Sequence, residues 1–481
     1  AGIKVGFVGI MGVSAALFAP LKAPVQFSGA IAQEGRQDAI LPAIYQDIQP
    51  VVDELRAQGV DLVVALSHSG VDDREPARGD DYNIAENVRG IDLIISGHTH
   101  IGIAAPQMVA APDGYLVPIV EAGKYGESLG RIELVLTDGV ARPTVELDAQ
   151  KTRLIPVDNR TVPTLTVLGP LLDGVIQGLE TPTGIDPSWL EAALARIEGQ
   201  AVADDPNTLG ELYYRSMGRT AFDVIGTRSY QETSMLDLST DAMMANGSSL
   251  FPNAPPWVAL QAAGSVRDDI VVGQTGELAF GDLFRILPLG YDPTDGSTGY
   301  PLIYAHVWLA ELKAAFEIGA SRGLVSDSFF LGASGMKVEF DTNRAPQVLT
   351  MLTDALDPQN GRITKIWIDV SPADGYDDFV PEVLLFDIER ADPWVEPTYS
   401  RDGAFSLIPV VTSLYVALFA DQAGATLKRP DGSAIANITD AFIRRPDGSV
   451  VKDWEAFMQY VRDECAANGG ELPARYDETD P

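Results

Sequence analysis

A chain of 481 residues is too long for one ordinary core, so two domains and a linker are expected. Its 68 acidic against 34 basic residues give a formal net charge of −34, which excludes a basic footprint for nucleic acid and repels anionic membranes at long range. A single cysteine, Cys465, excludes intramolecular disulfides and argues against a thiolate metal site, and no apolar run is long enough to cross a bilayer.

Residues 3–10 have the composition of a buried strand and lack the charged start, long apolar centre and cleavage site of a signal peptide. Residues 11–33 are apolar with little period. Between 38 and 58 the positions Leu41, Ile44, Ile48, Val51 and Leu55 recur at three and four, the spacing of an amphipathic helix, and Gly59 is placed to end it. Two short runs rich in Val, Ile and Leu follow, 60–66 and 91–95. Each stops at a small residue followed by histidine, in Ser67-His68-Ser69-Gly70 and Ser96-Gly97-His98-Thr99-His100. A polar, acidic loop over 71–82 and a short helix over 84–89 separate the runs. The unit therefore reads strand, helix, strand, with the two strands parallel and adjacent.

Side chains at the carboxyl ends of such strands face the crevice where α/β proteins bind ligands. The chain has four histidines, and three of them, His68, His98 and His100, stand at these two ends. Imidazole is the commonest side-chain ligand for zinc and related ions, so the three are candidate metal ligands. The alternative is that they are satisfied polar residues of loop ends. On so acidic a surface a phosphate substrate would need a local positive focus, which bound metal ions supply. The fourth, His306, lies in Ile303-Tyr304-Ala305-His306-Val307-Trp308 and reads as structural, and Cys465 reads as a spectator thiol.

The stretch from Ala65 to Gly70, then Asp81, Ala85 and Val88-Arg89-Gly90-Ile91-Asp92, ending in Ser96-Gly97-His98-Thr99-His100, resembles the last two metal-binding motifs of the calcineurin-like metallophosphoesterases. The downstream Ile119-Val120-Glu121-Ala122-Gly123-Lys124-Tyr125-Gly126, with Leu129-Gly130-Arg131, narrows the resemblance to the 5'-nucleotidase branch. The resemblance implies that His68 and His98 bind one divalent ion and His100 a second, Zn, Mn or similar. It implies an α/β fold, here the carboxyl-terminal part of a four-layer α/β/β/α domain. It further implies hydrolysis of nucleotides or related phosphomonoesters by metal-activated water, and a periplasmic or extracellular location. In the family, Asp-x-His, Gly-Asp and Gly-Asn-His motifs precede the strand matching residues 3–10 and supply the bridging aspartate and a transition-state histidine. They have no counterpart here, so no catalytic residue is assigned within the chain. An amino-terminal truncation or a split polypeptide is the expected explanation.

Strand-like runs over 115–120 and 131–136 complete the first domain, 1–154. Residues 155–208, with Pro156, Pro163, Pro170, Pro182, Pro187 and Pro206, read as a linker carrying two helical patterns, 167–179 and 188–198. Linker helices and a packed appendage are both consistent with them. The second domain, 209–481, is expected to hold helices over 237–246 and 309–318, a strand over 257–261, and a strand or turn entering a helix over 276–284. Exposed strands over 337–340 and 364–368 and a late surface helix over 454–467 follow, and no internal repeat is evident.

This order resembles the carboxyl-terminal, nucleoside-holding domain of 5'-nucleotidases. The family's Asn-x-Gly-x-x-Arg element is matched by Ala262-Ala263-Gly264-Ser265-Val266-Arg267, which makes Gly264 and Arg267 the candidate substrate-binding residues. A surface salt bridge is the alternative for Arg267. The asparagine is lost, the aromatic of a Pro-Phe segment is matched by Leu289, and a late Gly-Gly-Asp-Gly element has no counterpart. Losing both members of an aromatic clamp argues against a tight, purine-selective site. The rival function is a non-catalytic extracellular or surface module that keeps the two-lobed fold for binding or assembly.

Overall fold

The computed structural model describes residues 2–12, 37–71, 79–124, 126–137, 144–148, 150–157, 188–199, 212–226, 231–273, 275–322, 329–345, 361–369, 383–390, 393–394, 407–422 and 425–477, with the isolated positions 15, 25, 26 and 174. The chain is mixed α/β and divides into two compact units, Ala1–Pro163 and Thr164–Pro481.

The first unit runs β1 (Val5–Met11), α1 (Gln37–Ala57), β2 (Leu62–His68), α2 (Asp80–Asn87), β3 (Leu93–Ile95), β4 (Gln107–Ala110) and β5 (Leu116–Val120). These strands form one sheet in the order β1-β2-β3-β5-β4, parallel except for β4. β2 and β3 are parallel neighbours, as the strand, helix, strand reading requires, with Val64 opposite Leu93 and Leu66 opposite Ile95. On one face Val63, Ala65, Ile94, Val117 and Ile119 pack with Ile44, Ile48 and Val52 of α1 and with Ile84 and Ala85 of α2. The stripe keeps Ile44 and Ile48 from the spacing of residues 38–58 but continues through Val52, which is fully buried, whereas the expected Val51 is 45% exposed.

On the other face Leu62, Val64 and Leu93 pack with Leu134 and Val145. These two belong to the hairpin of β7 (Leu134–Thr137) and β8 (Thr144–Leu147), which lies between the paired strands β6 (Ser128–Arg131) and β9 (Arg153–Pro156) in the chain. Arg56 of α1 fixes where β3 begins: its guanidinium donates to the Gly90 carbonyl at 2.7 Å and pairs with buried Asp92. Asp92 in turn accepts the Val63 N–H at 2.7 Å. The opening strand departs from expectation. β1 buries one row only, with Phe7 60% exposed and Met11 54% on the other, and among the described residues it pairs with β2 alone at the sheet edge.

The second unit runs α3 (Ser188–Glu198), β10 (Ser216–Arg219), α4 (Ser234–Leu250), β11 (Val258–Ala262), β12 (Glu277–Ala279), α5 (Phe280–Phe284), β13 (Leu302–Trp308), α6 (Leu309–Arg322), β14 (Leu331–Ser334), β15 (Met336–Phe340), β16 (Ile363–Ile368), β17 (Val383–Asp387), β18 (Leu407–Ser413), α7 (Leu414–Gln422) and α8 (Asp453–Ala467). A mixed sheet has the order β13-β18-β11-β14, and β15-β16-β17 form an antiparallel sheet. α4 starts a turn earlier than expected because Thr233 caps it, its hydroxyl accepting the Leu236 N–H at 3.3 Å.

Two expectations change here and one is met. The late helix α8 is central and not superficial: Trp454, Phe457, Met458 and Val461 are buried in the main core. Its acidic residues mislead a count of polar positions, since Glu455 is buried between Arg196 and Arg445. The helix expected over 188–198 forms as α3 and packs into that same core through Leu190, Ala193, Leu194 and Ile197. The pattern over 167–179 lies outside the described residues. There is also a short internal repeat: Arg429-Pro430-Asp431-Gly432-Ser433 and Arg445-Pro446-Asp447-Gly448-Ser449 close hairpins with the same bonds. In each the serine hydroxyl donates to the aspartate, at 2.6 and 2.7 Å, and the arginine and serine pair through the backbone.

Candidate functional site

Alternation along a strand decides which way each terminal side chain of β2 faces. Ser67 continues the row of Val63 and Ala65 on the helix-covered side, and His68 continues the row of Leu62 and Val64 on the other. Ser96 extends the row of Ile94 and Glu121 that of Ile119, so three polar residues stand beside one another, Ser67 at the penultimate position of β2 and the other two just past the ends of β3 and β5. α2 brings Asp81 against them.

The His68 and His98 rings lie 5.1 Å apart between centroids, tilted by 57°. The end of β1 crosses close to His68, where a Cβ on Gly12 would fall 2.7 Å from the His68 carbonyl oxygen. His98 and His100 both adopt left-handed backbone, with φ of +84° and +61°, and among the described residues they are the only non-glycines that do. Such conformations cost about 1–3 kcal/mol each and persist where surrounding contacts over-determine them.

Two buried carboxylates bond the segments that carry these histidines. Asp81 accepts the Ser67 hydroxyl at 2.5 Å and the Gly70 N–H at 3.2 Å. Glu121 accepts the hydroxyls of Ser96 at 3.2 Å and Thr99 at 3.0 Å, and the Ile101 N–H at 3.1 Å. Thr99 also accepts the Val71 N–H at 3.3 Å, which ties the second histidine loop to the first. Burial raises both carboxyls above their ordinary range, and their hydrogen bonds oppose the shift. Asp81 and Glu121 lie inside the motifs quoted above, but the sequence offers no role for either.

The donor chemistry of the juxtaposed His68–His98 pair fits a divalent ion as part of its ligand set. Among the described residues no three His, Cys, Asp or Glu side chains are grouped to hold one, so the three candidate imidazoles are not gathered into a single set.

In the second unit, Gly264 and Arg267 come together. Gly264 lies in the single turn Ala263–Ser265 that follows β11, and its carbonyl accepts from the Arg267 guanidinium at 3.0 Å. The Arg267 N–H donates to Ile286 O at 2.8 Å, which anchors the residue. Burial pushes the Tyr415 hydroxyl up and nearby Arg267 opposes it. Tyr415 packs against Phe419 at 4.9 Å and Tyr300 at 5.5 Å, an aromatic cluster that the sequence reading did not assign to the site. Leu289 is half-buried. His306 is a ladder residue of β13: its backbone exchanges bonds with Lys428, burial lowers its pKa, and its ring meets Tyr304 edge-on.

Residues 216–380 match the family model of the 5'-nucleotidase C-terminal domain. Mouse 5'-nucleotidase is 26% identical over 323 residues, covering 62% of this chain. The chain is thus similar to 5'-nucleotidases, and its residues 216–380 carry the match to their C-terminal domain. The trifunctional nucleotide phosphoesterase protein YfkN of Bacillus subtilis is 23% identical over 290 residues, 60% of this chain. Among solved structures, the 5'-nucleotidase precursor of Thermus thermophilus superposes with a TM-score of 0.57 at 19% identity, covering 89% of this chain and 65% of that one. That likeness shows a shared fold. The chain spans 46% of the mouse protein's length and 16% of the Bacillus protein's.

Proposed function

We propose that this chain belongs to a phosphoester hydrolase of 5'-nucleotidase type, acting on nucleotides or related phosphomonoesters. The observation that carries the reading is the His68–His98 pair at the ends of two adjacent parallel strands, in a chain whose second unit matches a 5'-nucleotidase domain. In this reading His68, His98 and His100 supply imidazoles to two divalent ions, Zn, Mn or similar. Bound ions of that kind polarise the phosphate and lower the pKa of the attacking water. The chain's own part is to hold the imidazoles, through loops anchored by Asp81 and Glu121. In the second unit, Arg267 offers a guanidinium fixed by its bond to Gly264 O, suited to an anionic group of the substrate. The domain division 1–154, 155–208 and 209–481 and a periplasmic or extracellular location belong to the same reading.

The test is phosphate release from a nucleoside 5'-monophosphate by the full natural polypeptide with Mn²⁺ or Zn²⁺. Chelation abolishes the activity, and His98→Ala lowers it at least as far as the roughly 10–100-fold loss typical of groups behind the ligands. Undiminished activity in His98→Ala sinks the ligand assignment. The second reading, a non-catalytic binding module, rests on Ala262 and Leu289 standing where the family has asparagine and an aromatic. It predicts no divalent ion and no phosphate release.

A further inference from the structure

The groups behind the histidine loops form one connected network. Ser67 and Gly70 of the first loop reach Asp81, at 2.5 and 3.2 Å. The Ser96 hydroxyl lies within hydrogen-bonding reach of both Asp81 and Glu121. Glu121 continues to Thr99 and to the Ile101 N–H, and Thr99 returns to the first loop through the Val71 N–H. The path closes around both histidine-bearing segments. Asp81 is 0% exposed and Glu121 2%.

Stability alone gives little reason for such a network. Burying two carboxylates near each other is unfavourable, and well-packed apolar residues often do as well or better in such places. What the carboxylates provide is direction, since every acceptor bond named above goes to the two segments that carry His68, His98 and His100. Two of those histidines hold a left-handed backbone, which relaxes unless neighbours pin it.

We infer that Asp81 and Glu121, joined through Ser96 and Thr99, are positioning residues that set the imidazoles of His68 and His98 relative to each other. The inference rests on the proposed ligand role of those histidines and deepens it. Each carboxylate acts through a loop, and loss of such support typically costs about 10–100-fold in metal affinity.

The test uses the full polypeptide with Zn²⁺ or Mn²⁺ as the probe, and the variants Glu121→Gln, Thr99→Val and Thr99→Ser. Glu121→Gln keeps the volume and removes one acceptor. Thr99→Val removes the hydroxyl bridge at constant shape, and Thr99→Ser restores the hydroxyl. Two quantities are read on folded protein: the dissociation constant of the ion by chelator competition, and the imidazole resonances of His68 and His98 without metal.

The expected result is a 10–100-fold weaker ion and shifted resonances for Glu121→Gln and Thr99→Val, with Thr99→Ser close to the parent, on the roughly 10–100-fold scale of such support. Unchanged affinity and unchanged resonances in Glu121→Gln and Thr99→Val overturn the inference. So does a Thr99→Ser as impaired as Thr99→Val, since the hydroxyl is then irrelevant. If the parent binds neither ion, the ligand reading fails by itself; the resonances then decide, with shifted rings supporting the network's positioning role and unmoved rings overturning it.

Discussion

Gly70 lies so close to Thr99 that a Cβ placed on it would fall 2.6 Å from Thr99 Cγ2. Gly70 also has φ of +95°, a region that side chains other than glycine's rarely enter. The contact joins the two histidine loops sterically where the Thr99 hydroxyl joins them by hydrogen bonds.

Gly70→Ala is therefore expected to destabilise the first unit by about 1–3 kcal/mol through backbone strain, with a steric part added. Urea unfolding measures it. In a Thr99→Ser background, which removes the obstructing methyl, the penalty shrinks but does not vanish. Equal penalties in the two backgrounds would show that the methyl contact carries no energy.

Much of the histidine site is legible in the sequence, for a physical reason. Strands covered on both faces must be short and apolar, so residues 60–66 and 91–95 announce themselves, and polar residues at their ends stand out. Asp81 and Glu121 do not, because 39 positions separate them in the chain and their meeting depends on the register that aligns Ala65, Ile94 and Ile119. β1 illustrates the opposite error: an apolar run identifies a strand, yet its place at the sheet edge follows from partners that composition does not name. The core position of α8 is masked by Asp453 and Glu455, which look solvated in a period count and are buried.

α3 stabilises the second unit through its apolar face. Leu194 is 0% exposed and sits with Ile197 against the cluster that holds Phe457 and Val461 of α8. Leu194→Ala should cost about 2–5 kcal/mol, the range for a buried leucine whose cavity does not collapse. A loss under about 0.5 kcal/mol, the level of a surface change, would mean that α3 is a dispensable appendage.

Lys428 is buried with Glu311 at 2.6 Å, lies 4.0 Å over the Trp308 ring and also donates to Thr426 O. Removing one member of such a pair leaves a buried charge, so Lys428→Met is expected to cost about 3–5 kcal/mol. Adding Glu311→Gln recovers part of this, since the amide oxygen can still accept from one of the backbone N–H groups of Trp308 and Thr426. Denaturation of the single and double variants checks the order, and a double variant less stable than Lys428→Met contradicts it.

Asp453 opens α8 in full burial, and desolvation raises its pKa well above the usual carboxylate range, against hydrogen bonds that include the Trp454 N–H at 2.8 Å. The sign follows from proton counting. An unfolded aspartate titrates near pH ~3.9, while the folded one keeps its proton to higher pH. Between the two values the native state binds more protons, so this group's contribution to stability falls as pH rises through that window and is level below it. An asparagine at this position would mimic the protonated form and still accept from the Trp454 N–H. Asp453→Asn is thus expected to unfold at a temperature close to the parent's at pH 4 and higher than the parent's at pH 7. Thermal unfolding at the two pH values measures this directly, and a difference that is constant or reversed with pH would mean that Asp453 is ionised in the fold.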